Sequence, residues 1–228
     1  MRIGVVVPTY NQAQWLPGAL VSVLSGGGHV VAINDGSTDT TQAILDTVPR
    51  DRNYFRAYRQ DNAGTAAAIN AGVARFHEDD YGWLSWCSSD NFMVDDWISP
   101  LYETAVDHGA GVAYGGFYYC APDRVAYHFT PYDPDRLIND VNCYFGPAFL
   151  IRADVWREAG PHRGKISHDY DHWLRVEEVC WRRGLPIVGV DEPLCYYQAH
   201  DQRVTVTRKH EFDAHHWQAE ARRRRASS

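Results

Sequence analysis

The sequence predicts an α/β protein: a mostly parallel central sheet flanked by helices, followed by a smaller, mixed second half. Three observations carry this expectation. Ile3 to Val7 is an unbroken apolar run closed by Pro8, the pattern of a central parallel strand buried on both faces. Over roughly the first hundred residues, strand-like and helix-like stretches alternate, ending on a fourth strand, as in a doubly wound parallel unit. Finally, the strand-like runs empty into short polar loops at their carboxyl ends, where open α/β sheets bind ligands.

The elements follow in order. After the first strand, Thr9, Tyr10 and Asn11 form a polar loop, and Ala13 to Leu24 reads as a helix with Trp15, Leu16, Ala19, Leu20 and Val23 along one stripe. Gly26-Gly27-Gly28 ends it. His29 to Ile33 is the second strand and empties into Asn34-Asp35-Gly36-Ser37-Thr38-Asp39. Ser37 or Thr38 can cap the next helix, with Asp39 in its first turn; Asp35 has no such capping role. Tyr54 to Tyr58 is a third strand, and Asp61 to Gly72 opens an Ala-rich helix whose small residues allow close packing or close backbone approach to a ligand. Trp83 to Trp86 is the fourth strand, running into Cys87-Ser88-Ser89-Asp90-Asn91.

The second half is less regular. Asp96 to His108 reads as a helix, and Val112 to Cys120 with Val125 to Phe129 as a hairpin turning at Pro122-Asp123. Gly146 to Ile151 is a further apolar stretch, and Ala153 to Ala159 a short helix before Gly160-Pro161. Ser167 can cap a helix ending near Arg183 and closed by Gly184. Asp169 and Asp171 both fall in its first turn, where the helix dipole favours carboxylates. Pro186 to Val190 and Leu194 to Tyr197 read as two strands, followed by a last helix from about Lys209.

The chain has 228 residues, enough for one large domain or two small ones, and 45% of them are apolar, so a full core can be built. A net charge of −7 argues against a general nucleic-acid binder. The Arg222–Arg225 cluster breaks that balance and reads as a solvated basic tail or a phosphate contact. There are 5 cysteines, with no C-x-x-C pair, so a zinc site or disulfide framework is not expected. No apolar run reaches membrane-spanning length and the amino terminus lacks a secretory apolar region, so a cytoplasmic protein is expected.

Asp90 is the first acid after the fourth strand, where a carboxylate can hold a hard cation and a cation can hold a diphosphate. A polar turn is the bland alternative. Neither G-x-G-x-x-G nor a G-x-x-x-x-G-K-[ST] loop is present, so the first half is not an ordinary dinucleotide or ATPase unit.

Taken together, these stretches resemble the family 2 glycosyltransferases of the GT-A fold, a Rossmann-like architecture. Val5 to Asn11 resembles their first strand and loop, and Asn34 to Asp39 their nucleotide-binding loop. Asn62-Ala-Gly64 through Asn70-Ala-Gly72 is similar to their N-x-G…N-x-G segment, and Ser88 to Asn91 falls at their D-x-D metal motif. His168 to Arg175 resembles their E-D-…-W-L-R motif, and Tyr197 to His200 a late Tyr-x-x-His segment. The resemblance implies one GT-A domain over residues 1–228, with a nucleotide-sugar half (1–100), an acceptor-binding and catalytic half (101–210) and a C-terminal helix with basic tail (211–228).

It also implies roles. Pro8, Thr9, Tyr10, Asn11, Asp35, Asn62, Gly64, Asn70, Ser89 and Asp90 would hold a nucleotide-diphospho-sugar, expected to be a UDP-sugar, with Asp35 on the base. Asp90 and His200 would hold a divalent metal, Mn²⁺ or Mg²⁺, on the diphosphate. Asp169 would be the general base of an inverting transfer. The sequence departs from the family at Ser88, where a carboxylate is expected, at His168 in place of Glu, and at Ile69, where many relatives carry Arg. Those departures keep open a nucleotide-sugar-binding protein of the same fold without turnover. A nucleotidyltransferase would want a basic, Gly-rich loop after the first strand, and Pro8 to Asn11 is not that. A metal phosphohydrolase built on His168-Asp169 would need further ligands, and His77, His108, His128 and His162 are scattered. Asp169 and Asp171 are not expected to work as a glycosidase pair, since residues two apart on a helix do not face each other. The acceptor, whether small molecule, protein or nucleic acid, is left open, with Tyr114, Phe117, Tyr118, Tyr119 and Tyr144 as stacking candidates. The oligomeric state is open too, a homodimer included.

Overall fold

A computed structural model describes residues 2–49, 54–77, 80–139, 145–164 and 168–201, with positions 220 and 222. The Ser167 cap, Cys143, Tyr144, the helix start near Lys209 and Arg223–Arg225 lie outside the described residues.

The first half alternates as expected: β1 (Arg2–Thr9), α1 (Leu16–Ser25), β2 (His29–Asp35), α2 (Thr41–Thr47), β3 (Phe55–Gln60), α3 (Thr65–Val73) and β4 (Tyr81–Trp86). β1 pairs in parallel with β2 on one side and β4 on the other, and β3 extends the sheet beyond β2. Val5, Val6 and Val7 are fully buried because β1 has a core on each face. Val6 joins Ala68 and Ile69 of α3, while Val5 and Val7 join Leu16 and Leu20 of α1. Gly72 lets α3 lie on β1: a Cβ there would sit 2.4 Å from a Val6 methyl.

The second half comprises β5 (Phe92–Met93), α4 (Ile98–Asp107), the β6–β7 hairpin (Val112–Ala121, Arg124–His128), α5 (Pro134–Asn139), β8 (Phe149–Arg152), α6 (Ala153–Ala159), α7 (His168–Arg183) and β9 (Ile187–Gln198). The sheet runs β3-β2-β1-β4-β8-β6-β9-β5, with β7 on β6. β8 joins antiparallel to β4 and β6, and β9 runs parallel to β6, so the second half is mixed as expected.

Several boundaries differ from the sequence reading. The two expected strands at 186–197 are one strand, β9, with register shifts opposite Gly115–Phe117 that absorb Asp191 and Glu192. β5 is only two residues long, too short for a periodic signal. α2 begins at Thr41, not at Ser37 or Thr38, because the polar residues before it bond to another loop. No helix among the described residues is long and apolar enough to cross a membrane. Of the described cysteines, Cys87, Cys180 and Cys195 are buried and Cys120 half-buried, all as free thiols.

Candidate functional site

The chain moves outward from β1 to β3, then crosses back to β4 on the other side of β1. That reversal opens a crevice at the carboxyl ends of β1 and β4, the position where open α/β sheets hold ligands. Thr9 and Ser88–Asp90 stand at its two sides.

Two loops are laced together at one wall. Asn11, at φ 52°, donates its N–H to the Ser37 hydroxyl (2.9 Å), and its Oδ1 accepts the Thr38 N–H (2.8 Å). Asp39 accepts the N–H of Ala13 on one oxygen and that of Thr41 on the other. So Ser37 and Thr38 serve the other loop, and Asp39 ties that loop to the first residue of α2, whose N-cap position, Thr40, makes no side-chain cap. Asp35 is buried, and both oxygens of its carboxylate accept hydrogen bonds. Oδ1 accepts from Gln60 Nε2 (2.8 Å) and the Ala63 N–H (2.9 Å), and Oδ2 from the Gly64 N–H (2.8 Å). It therefore builds the turn that starts α3. Asn62 is exposed beside that turn, and its backbone passes so close to Gly36 that a Cβ there would lie 2.8 Å from the Asn62 nitrogen. Gly64 sits at φ 89°, where glycine is favoured.

Other predicted donor contacts divide in the same way. Pro8 is buried in the sheet beside Ile33, and Tyr10 is 46% exposed at the rim. Thr9 is 2% exposed, yet its Oγ1 has no hydrogen-bond partner among the described residues. Such a group costs about 1–3 kcal/mol, which a ligand hydroxyl or amide can relieve. Asn70 instead faces the segment before α7, donating to the His162 carbonyl and accepting the His162 N–H, both at 2.9 Å. Ile69 is wholly in the core, so this position offers no cation. Ser89 is 3% exposed, beside Asp90.

Asp90 and His200 meet although they are far apart in sequence: His200 Nε2 lies 3.1 Å from Asp90 Oδ2. The Ser88 hydroxyl donates to the other carboxylate oxygen, so Ser88 supports Asp90 in place of a second acid. Asn91 accepts the Gln198 N–H (3.1 Å) and fixes the end of β9, while the His200 ring stacks on Trp15 (centroids 5.2 Å apart). One carboxylate and one imidazole suit a divalent cation that takes its remaining ligands from water and phosphate oxygens. No group of three or more His, Cys, Asp or Glu suited to a metal occurs among the described residues, so no cage made by protein alone is present there.

Asp169 is half-buried in the first turn of α7 and accepts the Tyr170 N–H at 2.8 Å. The ring of the preceding His168 lies 6.1 Å from that of Trp86, the last residue of β4, which brings this turn to the same end of the sheet. Asp171 points elsewhere: it is 1% exposed, held by Arg163 and Arg175. Burial pushes its pKa up, and the hydrogen bonds from the two guanidiniums outweigh that and hold it below the ordinary value. Asp169 and Asp171 thus do not form a pair.

The sequence reading treated the histidines as scattered, but His162, His168 and His172 cluster behind Asp169, all under 9% exposed. His162 Nδ1 lies 3.1 Å from His168 Nδ1, and its ring stacks on His172 with centroids 4.0 Å apart. Burial, then His172, His168 and Arg175, push the pKa of His162 well below the ordinary value; burial, then Arg175 and His168, do the same at His172. The i, i+4 spacing of His168 and His172 was the signal available in sequence; His162 had none. Among the stacking candidates, Tyr114 is buried core, while Phe117, Tyr118 and Tyr119 are half-buried.

Solved structures share this architecture. Staphylococcus aureus TarS 1–349 in complex with UDP-GlcNAc superposes with a TM-score of 0.72 at 15% identity, covering 89% of this chain and 60% of that one. The mannosyltransferase PcManGT of Pyrobaculum calidifontis, with GDP-Man and Mn²⁺, does so at 0.65 and 14%, covering 91% and 59%. The fold is thus that of the GT-A enzymes. Residues 4–158 match the model of glycosyl transferase family 2, and the chain belongs to that family. Relatives include glycosyltransferase GlyA of Streptococcus pneumoniae, 29% identical over 51% of this chain and 17% of its own length. An uncharacterised glycosyltransferase of Mycoplasma pneumoniae is 32% identical over 74% of this chain and 52% of its own. The chain spans between 17% and 52% of the length of the curated relatives it matches.

Proposed function

We propose that this chain catalyses transfer of a sugar from a nucleotide-diphospho-sugar, a UDP-sugar, to an acceptor hydroxyl with inversion at the anomeric carbon. The observation that carries this reading is convergence at one end of the sheet. Asp90 and His200 meet 3.1 Å apart, and the Trp86–His168 contact brings the turn bearing Asp169 to the same edge. The likeness to proteins solved with UDP-GlcNAc and with GDP-Man and Mn²⁺ supports a nucleotide-sugar donor.

The chemistry follows from the residues. Thr9, Tyr10 and the wall built by Asp35 and Asn62 receive the nucleotide. Asp90 and His200 would hold Mn²⁺ or Mg²⁺, which as a Lewis acid would neutralise charge on the diphosphate. Asp169 takes the proton of the acceptor hydroxyl, whose oxygen forms the new bond to the anomeric carbon. The bond from that carbon to the diphosphate oxygen breaks, and its electron pair leaves with the nucleoside diphosphate. Attack opposite the leaving group inverts the centre. A positioned base of this kind contributes about 10²–10⁴ in rate.

The test is thermal denaturation with UDP, GDP, CDP or dTDP, each with and without Mn²⁺. A ligand at about 100 times its dissociation constant stabilises by about 2.7 kcal/mol. A Mn²⁺-dependent shift with UDP, lost in Asp90→Ala, is the expected result. No shift with any nucleotide would refute the donor reading, and full transfer by Asp169→Asn would refute the base.

A further inference from the structure

We propose that the His162–His168 imidazole pair is a positioning device for Asp169, holding the first turn of α7 against the end of β4 while the two rings share one proton. This rests on reading Asp169 as the base. The pair joins four elements. Asn70 of α3 clasps the His162 backbone through both its N–H and its carbonyl. Trp86 at the end of β4 presents its ring 6.3 Å from His162 and 6.1 Å from His168. Trp156 of α6 lies 5.6 Å from His162 and 4.7 Å from His172. Arg175, on α7, reaches back to the carbonyls of Ala159 and Pro161 and so pins the segment that carries His162. Asp169 follows His168 directly, so the position of the His168 ring sets where the turn bearing the carboxylate lies.

The contact between the rings is Nδ1 to Nδ1 at 3.1 Å. One nitrogen must donate and the other accept, so the contact exists only with a single hydrogen between them. A second proton from solvent would set two N–H groups face to face, and the rings would part. The groups facing His162 are His168, His172 and Arg175; those facing His168 are His162, Asp169 and Asp171; Asp171 is itself held by Arg163 and Arg175. Burial lowers the pKa of both rings, the neighbouring His172 and His168 and the Arg175 guanidinium add to this at His162, and the two carboxylates oppose it at His168. At neutral pH the pair therefore holds its single shared proton, and acid breaks it.

Long-range ¹H–¹⁵N spectra of the full chain, labelled at histidine and in the backbone, test this without any ligand. The expected result is one protonated and one bare Nδ1 at neutral pH. On acidification, the Tyr170 amide, which donates to Asp169 Oδ1, should shift in the same transition as the two rings. Independent titration of His162 and His168 near 6.5, or a Tyr170 amide that does not follow them, would overturn the proposal. His168→Gln keeps a hydrogen-bonding group but takes no second proton, so the acid transition should vanish from Tyr170; its persistence would count against the pair. UDP release from UDP-GlcNAc, with water as acceptor, adds a kinetic readout. His168→Leu should lower kcat by about 10²-fold, the scale of a small misplacement, with KM unchanged. Unchanged kcat in His168→Leu beside an inactive Asp169→Asn overturns the positioning role and leaves the base standing. An Asp169→Asn enzyme at full rate overturns the base, and the positioning role with it.

Discussion

Replacing Asp35 by Asn separates a ligand contact from a structural one. In the family resemblance Asp35 reads the base of the donor; in the structure both its oxygens already accept three N–H groups, from Gln60, Ala63 and Gly64. An asparagine can keep its oxygen toward Gln60 and Ala63, but its NH₂ then meets the Gly64 N–H, donor against donor at 2.8 Å. The half-buried Gly64 donor loses its acceptor, a cost of about 1–3 kcal/mol, and the two remaining bonds lose their charge assistance, about 0.5–1 kcal/mol each. The sum is about 2–5 kcal/mol. For a chain of this size that corresponds to a fall in Tm of roughly 5–15 °C. The assay is thermal denaturation of the ligand-free protein, followed by circular dichroism. A ligand-free Tm within about 2 °C of wild type would refute the reasoning and return Asp35 to the role of a pure donor contact. A large fall would mean that lost nucleotide binding in this variant says little about base recognition.

Two other consequences follow from the buried charges and rings. His162 and His172 are held neutral in the fold, with pKa values pushed below 6.5. Their contribution is therefore complete above about pH 6.5 and is lost as pH falls toward the folded values. Each proton withheld from the native state should steepen the loss by about 1.4 kcal/mol per pH unit; a flat urea midpoint between pH 7.5 and 5 would contradict this. Asp171→Ala should destabilise by about 3–5 kcal/mol, because the buried Arg175 loses its counter-charge; a denaturant midpoint close to wild type would count against the network.

What could be read from the sequence depended on range. Ile3–Val7, α6 and the end of α7 were legible because apolar period, caps and glycine stops act within a few residues. The place of Asp90 at the carboxyl end of the fourth strand was legible; that this strand lies on the other side of β1 was not, because the order of elements along the chain does not fix the order of strands in the sheet. β9 was split in two because Asp191, Glu192 and Pro193 interrupt its apolar run, while the register shifts opposite Gly115–Phe117 carry the strand through. α2 was started too early because Ser37 and Thr38 are good caps in isolation, and nothing local shows that Asn11 claims them. The histidine cluster was missed for the same reason: His162 is placed by Asn70, 92 residues away.

Hydrogen-bond accounting divides the predicted site in a way that residue type cannot. Asn11, Asp35, Asp39 and Asn70 carry the polar groups a nucleotide site would want, yet their bonds are taken by other loops, and they form the frame. Thr9 Oγ1 is buried without a partner, and Asp169 accepts, among the described residues, only the N–H of the next residue. Asp90 is braced by Ser88 and met by His200, an arrangement that places two donor groups toward one point. A buried polar group left unsatisfied is a standing cost, so it persists where something outside the chain relieves it. By that criterion Thr9 is a position where substitution should act on ligand; Asp90, His200 and Asp169 join it on the separate ground that they converge at the same end of the sheet. Asp35, Asn70 and Asp171 are those where it should act first on stability. The missing carboxylate at Ser88 then weighs less against turnover, since the hydroxyl there holds Asp90 in place.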